Sequence, residues 1–245
     1  MKKTWDSSEK WYTSCVGEKG HYYHQKIVLP NVLKYVAKAR SLLDLGCGQG
    51  VLARHLGKDV EYVGVDQSKA LIQSAKKLSK SRTFIVSDVT KPLELEKKDF
   101  DIATFILCLQ NVENGKKAIQ SAHKHLKKNG KLLIDINHPC FRIPRQSSWR
   151  IDQKMKLQYR RLNTYMSEMK IPIQTSPSKG AASKTTMSYH HPLNTYFKWL
   201  HPFFTVTNLE EWCSDKVSVG AKAKMENRAR AEFPLFLALI AKKGS

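Results

Sequence analysis

Apolar and polar positions alternate along this chain in a repeating order of short apolar runs and amphipathic stretches. From about Val28 to Ala39 the apolar residues Val32, Leu33, Val36 and Ala37 recur at helical spacing. Leu42-Leu43-Asp44-Leu45 then reads as a buried strand running into glycines, and Val51–Leu56 as a helix stopped by Gly57. Glu61–Val65 is a second strand closed by Asp66, and Ser68 is the expected N-cap of a helix through Leu78. Thr83–Ser87 is a third strand ending at Asp88, and Phe100–Leu107 a fourth. A basic amphipathic helix over about Gly115–Lys127 precedes an Asn129-Gly130 turn and a fifth strand, Lys131–Asn137. Five strands alternating with helices predict right-handed crossovers, a mainly parallel sheet and an α/β fold.

The regular pattern stops at His138-Pro139. The following fifty or so residues are basic and aromatic and contain the loop-like stretch Thr175–Lys184. Such a segment inside an α/β domain is expected to be a lid or functional loop rather than core. Residues 141–192 are therefore read as a substrate-covering insert within one domain spanning residues 1–245. After it come a helix, Asn194–His201, and two strands, Phe204–Leu209 and Phe233–Ile240.

Charge adds a question to this picture. The 245 residues carry 42 Lys and Arg against 21 Asp and Glu, a formal charge of +21. Residues 141–200 hold eleven basic against two acidic residues and the other 185 hold 31 against 19, so the basic excess is denser in that segment. Such a field attracts anionic partners, RNA among them, although solvated surface lysines account for it equally well. The five scattered cysteines contain no CxxC pair, which argues against a disulfide framework or a zinc site. No apolar run of about 18 residues exists to span a membrane. The polar start of the chain lacks a signal-peptide core, so the expected compartment is the cytoplasm.

The chemistry concentrates in Asp44-Leu45-Gly46-Cys47-Gly48-Gln49-Gly50. A strand feeding a glycine-rich turn binds nucleotides, because glycine lets a ligand approach the backbone. The G-x-G-x-G spacing alone leaves nicotinamide and S-adenosylmethionine (SAM) both open. Two features favour SAM. The third glycine comes one residue too early for the dinucleotide fingerprint, where Val51 stands, and acidic residues close three elements: Asp44, Asp66 and Asp88. Asp66 lies where a carboxylate accepts ribose hydroxyls. Asp88 with Val89 can meet the adenine, and Asp44 can hold the loop and face the amino-acid end of the cofactor.

The ordered set D-x-G-C-G-x-G, G-V-D-x-S, D-V and F-D-I-A over residues 20–137 resembles the class I SAM-dependent methyltransferases of the methyltransferase type 11 kind. The resemblance implies a Rossmann-like three-layer sandwich. Its sheet would have seven strands in the order 3-2-1-4-5-7-6, the last strand antiparallel and the insert after strand five. It also implies that Gly46, Cys47, Gly48 and Gly50 form the cofactor loop, with Asp66 and Gln67 at the ribose and Asp88 and Val89 at the adenine. Phe105 and Ile106 would border the methionine portion, with Gln110 and Asn111 near it. Tyr12, Tyr22 and Tyr23 are the candidates to close over the cofactor. Many relatives have a histidine where Gln110 stands, which puts a general base at that position in doubt.

His138, His190 and His191 are the remaining candidate bases, being of the residue type that titrates near neutrality. Cys140 is read as a packing residue, and Trp149, Tyr159 and Tyr165 as either stacking residues or the insert's own core. No carboxylate or cysteine stands at ligand spacing from the histidines, so no metal is expected. The leading expectation is methyl transfer to O, N or C of a small-molecule metabolite. An RNA-modifying enzyme and a non-catalytic SAM-binding protein are the alternatives. The methyl acceptor and the oligomeric state stay open at this level.

Overall fold

The computed structural model describes residue 13, residues 16–174 and residues 185–244. Tyr12 and the loop-like stretch 175–184 lie outside them. A π-helical turn, His24–Val28, leads into α1 (Leu29–Val36), followed by β1 (Ser41–Leu45), β2 (Glu61–Asp66), α2 (Lys69–Leu78), β3 (Thr83–Val86) and β4 (Phe100–Ile106). Then come α3 (Gly115–His125) and β5 (Leu126–Asn137), two hairpins, β6 (Ser147–Asp152) with β7 (Leu157–Leu162) and β8 (Met169–Gln174) with β9 (Thr185–His190), and α4 (Leu193–Leu200). The chain closes with β10 (Phe204–Trp212), α5 (Ala223–Glu232) and β11 (Phe236–Lys243).

Seven strands form one sheet in the order β10-β11-β5-β4-β1-β2-β3. Strands β1 to β5 pair in parallel, whereas β11 is antiparallel to both β5 and β10. With β10 and β11 counted as the sixth and seventh strands, this is the expected 3-2-1-4-5-7-6 order. The sheet is buried on both faces, so the strands read as unbroken apolar runs. Alternate residues feed opposite layers: Leu43 and Leu45 pack with α3 and α4 through Ile119, Ala122 and Leu200, while Leu42 packs with α1 and α2 through Val32, Ile72 and Ala75.

Local signals account for several boundaries. Ser68 Oγ accepts the Leu71 backbone N–H at 3.2 Å, and Asn114 caps α3 in the same way through Lys117. Asn129 adopts φ +62, as an Asn-Gly turn requires, but here the turn lies within β5, which begins at Leu126.

Four expectations are corrected. The segment after the glycine loop is only a 3-10 turn, Leu52–His55, because Leu56 is already extended and Arg82 gathers the carbonyls of Leu56, Gly57 and Val60. The first helix enters through the π turn and ends at Val36, short of Ala39. Within the insert the described residues form two antiparallel strand pairs, where the sequence reading identified no strands. Helix α5 was not foreseen, since Ala229 is its one buried residue and no apolar stripe marks it. Among the described residues no helix is long and apolar enough to cross a membrane.

Candidate active site

The glycine loop leaves β1 at the carboxyl edge of the sheet. Gly46, Gly48 and Gly50 all take left-handed backbone angles (φ +76, +54 and +74), which side chains disfavour. The Gly46 and Cys47 amides both donate to Val65 O, at 2.7 and 3.1 Å, tying the loop to β2. A Cβ on Gly46 would lie 2.5 Å from Cys108 Sγ, so the loop packs directly on the turn after β4. Cys47 turns its buried thiol toward Gly64 and contributes to the loop through its backbone. The loop is latched from behind as well: Gln49 Nε2 donates to Gly17 O, and Arg54 donates to Glu18 O and Gln49 O, each at 2.6 Å.

The acidic residues divide by environment. Asp66, at the end of β2, accepts Gly48 N–H at 3.0 Å and Ser68 N–H at 2.9 Å, so it stands against the loop itself. Gln67 beside it is exposed. At the end of β3 the half-buried Asp88 folds its Oδ1 onto the amide and hydroxyl of Thr90, next to buried Val89. Asp44 is enclosed, with Tyr62 and Thr104 hydroxyls donating to its two oxygens at 2.7 and 2.8 Å. Burial pushes its pKa up to about 6 against those two hydrogen bonds, with a further upward push from Asp66.

Past β4 the strand alternation separates two neighbours. Phe105 points into the apolar layer of α3, whereas Ile106 packs on the opposite layer and is partly exposed at the strand end. The Phe105 side chain thus belongs to the layer of α3, and of the pair only Ile106 keeps surface at the strand end. Leu107 adopts φ +51, and Gln110 Nε2 donates to its carbonyl at 3.0 Å.

Three buried acceptor atoms in this region have no hydrogen-bond partner: both carboxyl oxygens of Asp135 on β5 and Oε1 of Gln110. Burial raises the pKa of the Cys108 thiol, and Asp44, Asp66 and Asp135 each raise it further, so three carboxyl groups converge on this turn. Unsatisfied acceptors and converging negative charge suit a ligand that brings cationic and N–H groups. SAM, with its sulfonium and ammonium, fits that donor-poor cradle. The apolar run around Asp135 (Leu132-Leu133-Ile134-Asp135-Ile136) carried the signal of a buried charge that sequence reasoning passed over.

The three histidines differ in what their rings can do. His138 accepts the Cys140 N–H on Nδ1 at 3.1 Å, so Nε2 carries the proton and donates to Glu211 Oε1 at 2.6 Å. Both its nitrogens are engaged. His191 stacks against Trp199 with ring centroids 4.6 Å apart and has Glu168 3.3 Å from Nδ1. His190 on β9 has its Nε2 2.7 Å from Tyr165 O; a carbonyl only accepts, so Nε2 holds the proton and Nδ1 keeps its lone pair. Burial lowers its pKa, which favours the neutral, proton-accepting ring. With Gln110, Asn137, Arg142 and Tyr189, His190 lines a small cavity of about 20 Å³, room for about one water.

A larger cavity of about 250 Å³ lies beneath the first hairpin, bounded by Tyr23, Phe141, Arg142, Trp149, Arg160 and Phe233. Tyr23 stacks edge-on against Phe236 at 5.9 Å, which places it over β11 at the same end of the sheet. Tyr22 is exposed and donates to Asp215 at 3.1 Å. Tyr159 also faces solvent, and Tyr165 serves to orient His190 and Leu193. Among the described residues no group of three His, Cys, Asp or Glu side chains could hold a metal ion.

Comparison with known proteins agrees with this geometry. Residues 43–134 match the family described as methyltransferase domain. An uncharacterised protein of Haemophilus influenzae is 26% identical over 196 residues, 75% of this chain and 72% of that protein. A ubiquinone biosynthesis O-methyltransferase of Coxiella burnetii is 29% identical over 151 residues, 58% of this chain and 63% of that protein. The crystal structure of a SAM-dependent methyltransferase from Mesorhizobium loti superposes with a TM-score of 0.65, covering 88% of this chain and 96% of that one at 24% identity, a likeness of fold. The glycine loop, the sheet order and the match thus agree: residues 43–134 carry a methyltransferase domain, on a fold shared with SAM-dependent methyltransferases.

Proposed function

We propose that this enzyme methylates an O, N or C nucleophile of a small-molecule acceptor held between the carboxyl edge of the sheet and the insert of residues 141–192. The observation that carries the reading is His190: a neutral imidazole on the insert, with Nδ1 lone-paired, beside a cavity that also contains Gln110 from the turn after β4. The insert thereby brings a proton acceptor to the cofactor end of the sheet. The name of the Coxiella relative, an O-methyltransferase, supports an oxygen acceptor.

When bound, SAM would supply an activated methyl electrophile, its sulfur keeping the electron pair of the S–C bond that breaks and leaving as S-adenosylhomocysteine. In our reading, Gly46, Gly48 and Gly50 admit it to the backbone, Asp66 accepts from its ribose, and Asp88 and Val89 flank its adenine. Ile106 and Gln110 border its methionine end, where Asp135 and Gln110 Oε1 offer acceptors to an ammonium. His190 Nδ1 takes the proton of the acceptor as the new bond to carbon forms. The acceptor leaves methylated, and the proton passes from His190 to solvent. His138, with both nitrogens occupied, positions the Pro139–Phe141 turn through Glu211 rather than moving a proton. The two hairpins exclude water and align the nucleophile, which is most of what such a displacement needs from a protein.

The test is incubation with methyl-labelled SAM and fractionated cell extract. Label in organic-soluble metabolites is the expected result. Label confined to RNA, or no transfer despite measured SAM binding, would overturn the reading.

A further inference from the structure

The 250 Å³ cavity is walled on one side by aromatic rings and on another by two arginines. Phe141 and Trp149 each meet Phe233 edge to face with centroids 5.5 Å apart, forming a flat-sided apolar box. Arg160 stacks its guanidinium over Trp149 at 4.8 Å and donates to Phe141 O and, at 2.6 Å, to Ser147 Oγ. Those contacts fix the fork and leave its buried Nε with no hydrogen-bond partner. Arg142 lies over Phe236 at 5.2 Å, with a single long contact from its Nη1 to Leu235 O at 3.5 Å.

Neither guanidinium takes part in any of the ion pairs among the described residues. Arginine stays protonated even when burial and its neighbour oppose it. Asp135 acts on Arg142 only from a distance, without salt-bridge contact, and Arg142 in turn draws the Asp135 pKa down against the burial that raises it. Two like charges thus line the cavity wall with no carboxylate in contact with either among the described residues, an arrangement that a ligand anion would complete. The planar forks of arginine match a carboxylate, and the ring walls match a planar aromatic body. In another protein a cavity of about 150 Å³ accepts benzene, so 250 Å³ admits a substituted or fused ring.

We propose that this cavity is the acceptor subsite for a planar aromatic carboxylate, its ring set among Tyr23, Phe141, Trp149 and Phe233 and its carboxylate on Arg142 and Arg160. The proposal rests on the small-molecule reading above. Arg142 lines this cavity and also the smaller one that holds His190, so the two meet at the arginine.

Binding of 1-naphthoate and 1-naphthamide, measured by calorimetry on the full chain in the presence of S-adenosylhomocysteine, tests it. The acid should bind at least about tenfold more tightly than the amide, the range for a charge-assisted pair. Arg160→Gln should abolish that preference without changing S-adenosylhomocysteine affinity, and inorganic phosphate should compete with the acid. Arg142→Gln should do the same; because Arg142 is more deeply buried, its melting temperature is measured in parallel, and Arg160→Gln decides if that variant does not fold. Equal binding of acid and amide, binding of neither, or an acid preference that survives Arg160→Gln would overturn the proposal. The readout needs no methyl transfer. A protein that binds the acid selectively yet labels no metabolite keeps the subsite and loses the function proposed above, and labelling of a metabolite without acid selectivity does the reverse.

Discussion

The hydroxyl of Tyr62 donates at 2.7 Å to the carboxyl group of Asp44, and Thr104 donates to the same group from the other side, so strands β2 and β4 clamp the acid on β1 that begins the glycine loop. Asp44 has a pKa of about 6 in the folded chain, against about 3.9 when unfolded. Between those values the folded state holds a proton that the unfolded state has lost. Stability should therefore fall as pH rises from about 4 through about 6, by up to about 3 kcal/mol, and level off above. Denaturant midpoints across that range should show the slope, and Asp44→Asn should flatten it. An unchanged slope in the variant would assign the proton to another group.

Gly46 combines φ +76 with a Cβ position 2.5 Å from Cys108 Sγ. Gly46→Ala should cost about 1–2 kcal/mol for the left-handed backbone and a further 1–3 kcal/mol or so for the overlap. Adding Cys108→Ala should restore only part of the lost melting temperature, because the backbone strain persists. Complete recovery in the double variant would show that contact alone is responsible.

Asp66 holds the loop through Gly48 and Ser68. If it also accepts from the ribose as proposed, replacing it by alanine should lower S-adenosylhomocysteine affinity by about 10- to 100-fold. Titration calorimetry measures this directly. An affinity within about twofold of the parent would remove Asp66 from the cofactor site.

The histidines should separate cleanly. His190→Gln should lower kcat by about 10²- to 10⁴-fold with cofactor affinity unchanged, as loss of a general base does. His138→Ala and Glu211→Ala should instead lower the melting temperature alike, since each removes one partner of the same 2.6 Å contact. A His138→Ala enzyme that is stable but inactive would reverse the two roles.

Burial lowers the pKa of His138 although Glu211 raises it. The unfolded chain then binds the proton more readily, so this residue's contribution to stability is present above the ordinary histidine pKa of about 6.5 and is lost as pH falls below it. The Glu211→Gln protein should lose stability at a higher pH on acidification than the parent, because the carboxylate supports the protonated ring less than burial opposes it but still opposes that loss by stabilising a bound proton. Thermal melts between pH 5 and 8 or so check the sign.

Local and alternating signals carried most of the fold. Ser68 as a cap, the runs at Leu42–Leu45 and Leu132–Ile136, and the acids at 44, 66 and 88 are visible because each depends on near neighbours in the chain. The acceptor side was not visible in the same way. Arg160 meets Trp149 only because the β6–β7 register sets them opposite one another, and Tyr23 reaches Phe236 across more than two hundred residues. His190 and His191 are adjacent and of one type; what distinguishes them is a carbonyl at Tyr165 and a ring at Trp199, contacts formed by tertiary packing. The opposite facings of Phe105 and Ile106 were hidden for a simpler reason, since a position on a strand does not reveal its facing until the two layers are known.

Strand β11 lies inside the sheet, between β5 and β10. During synthesis, β5 must wait as an exposed edge while about a hundred residues, both hairpins among them, leave the ribosome. Until Phe236–Lys243 emerges, β10 has no strand to join. Closure is therefore a late, long-range event of the kind that folds slowly and leaves intermediates open to aggregation. Substitutions that weaken the β5–β11 seam should first appear as poor yield of soluble protein, before any defect in the finished enzyme.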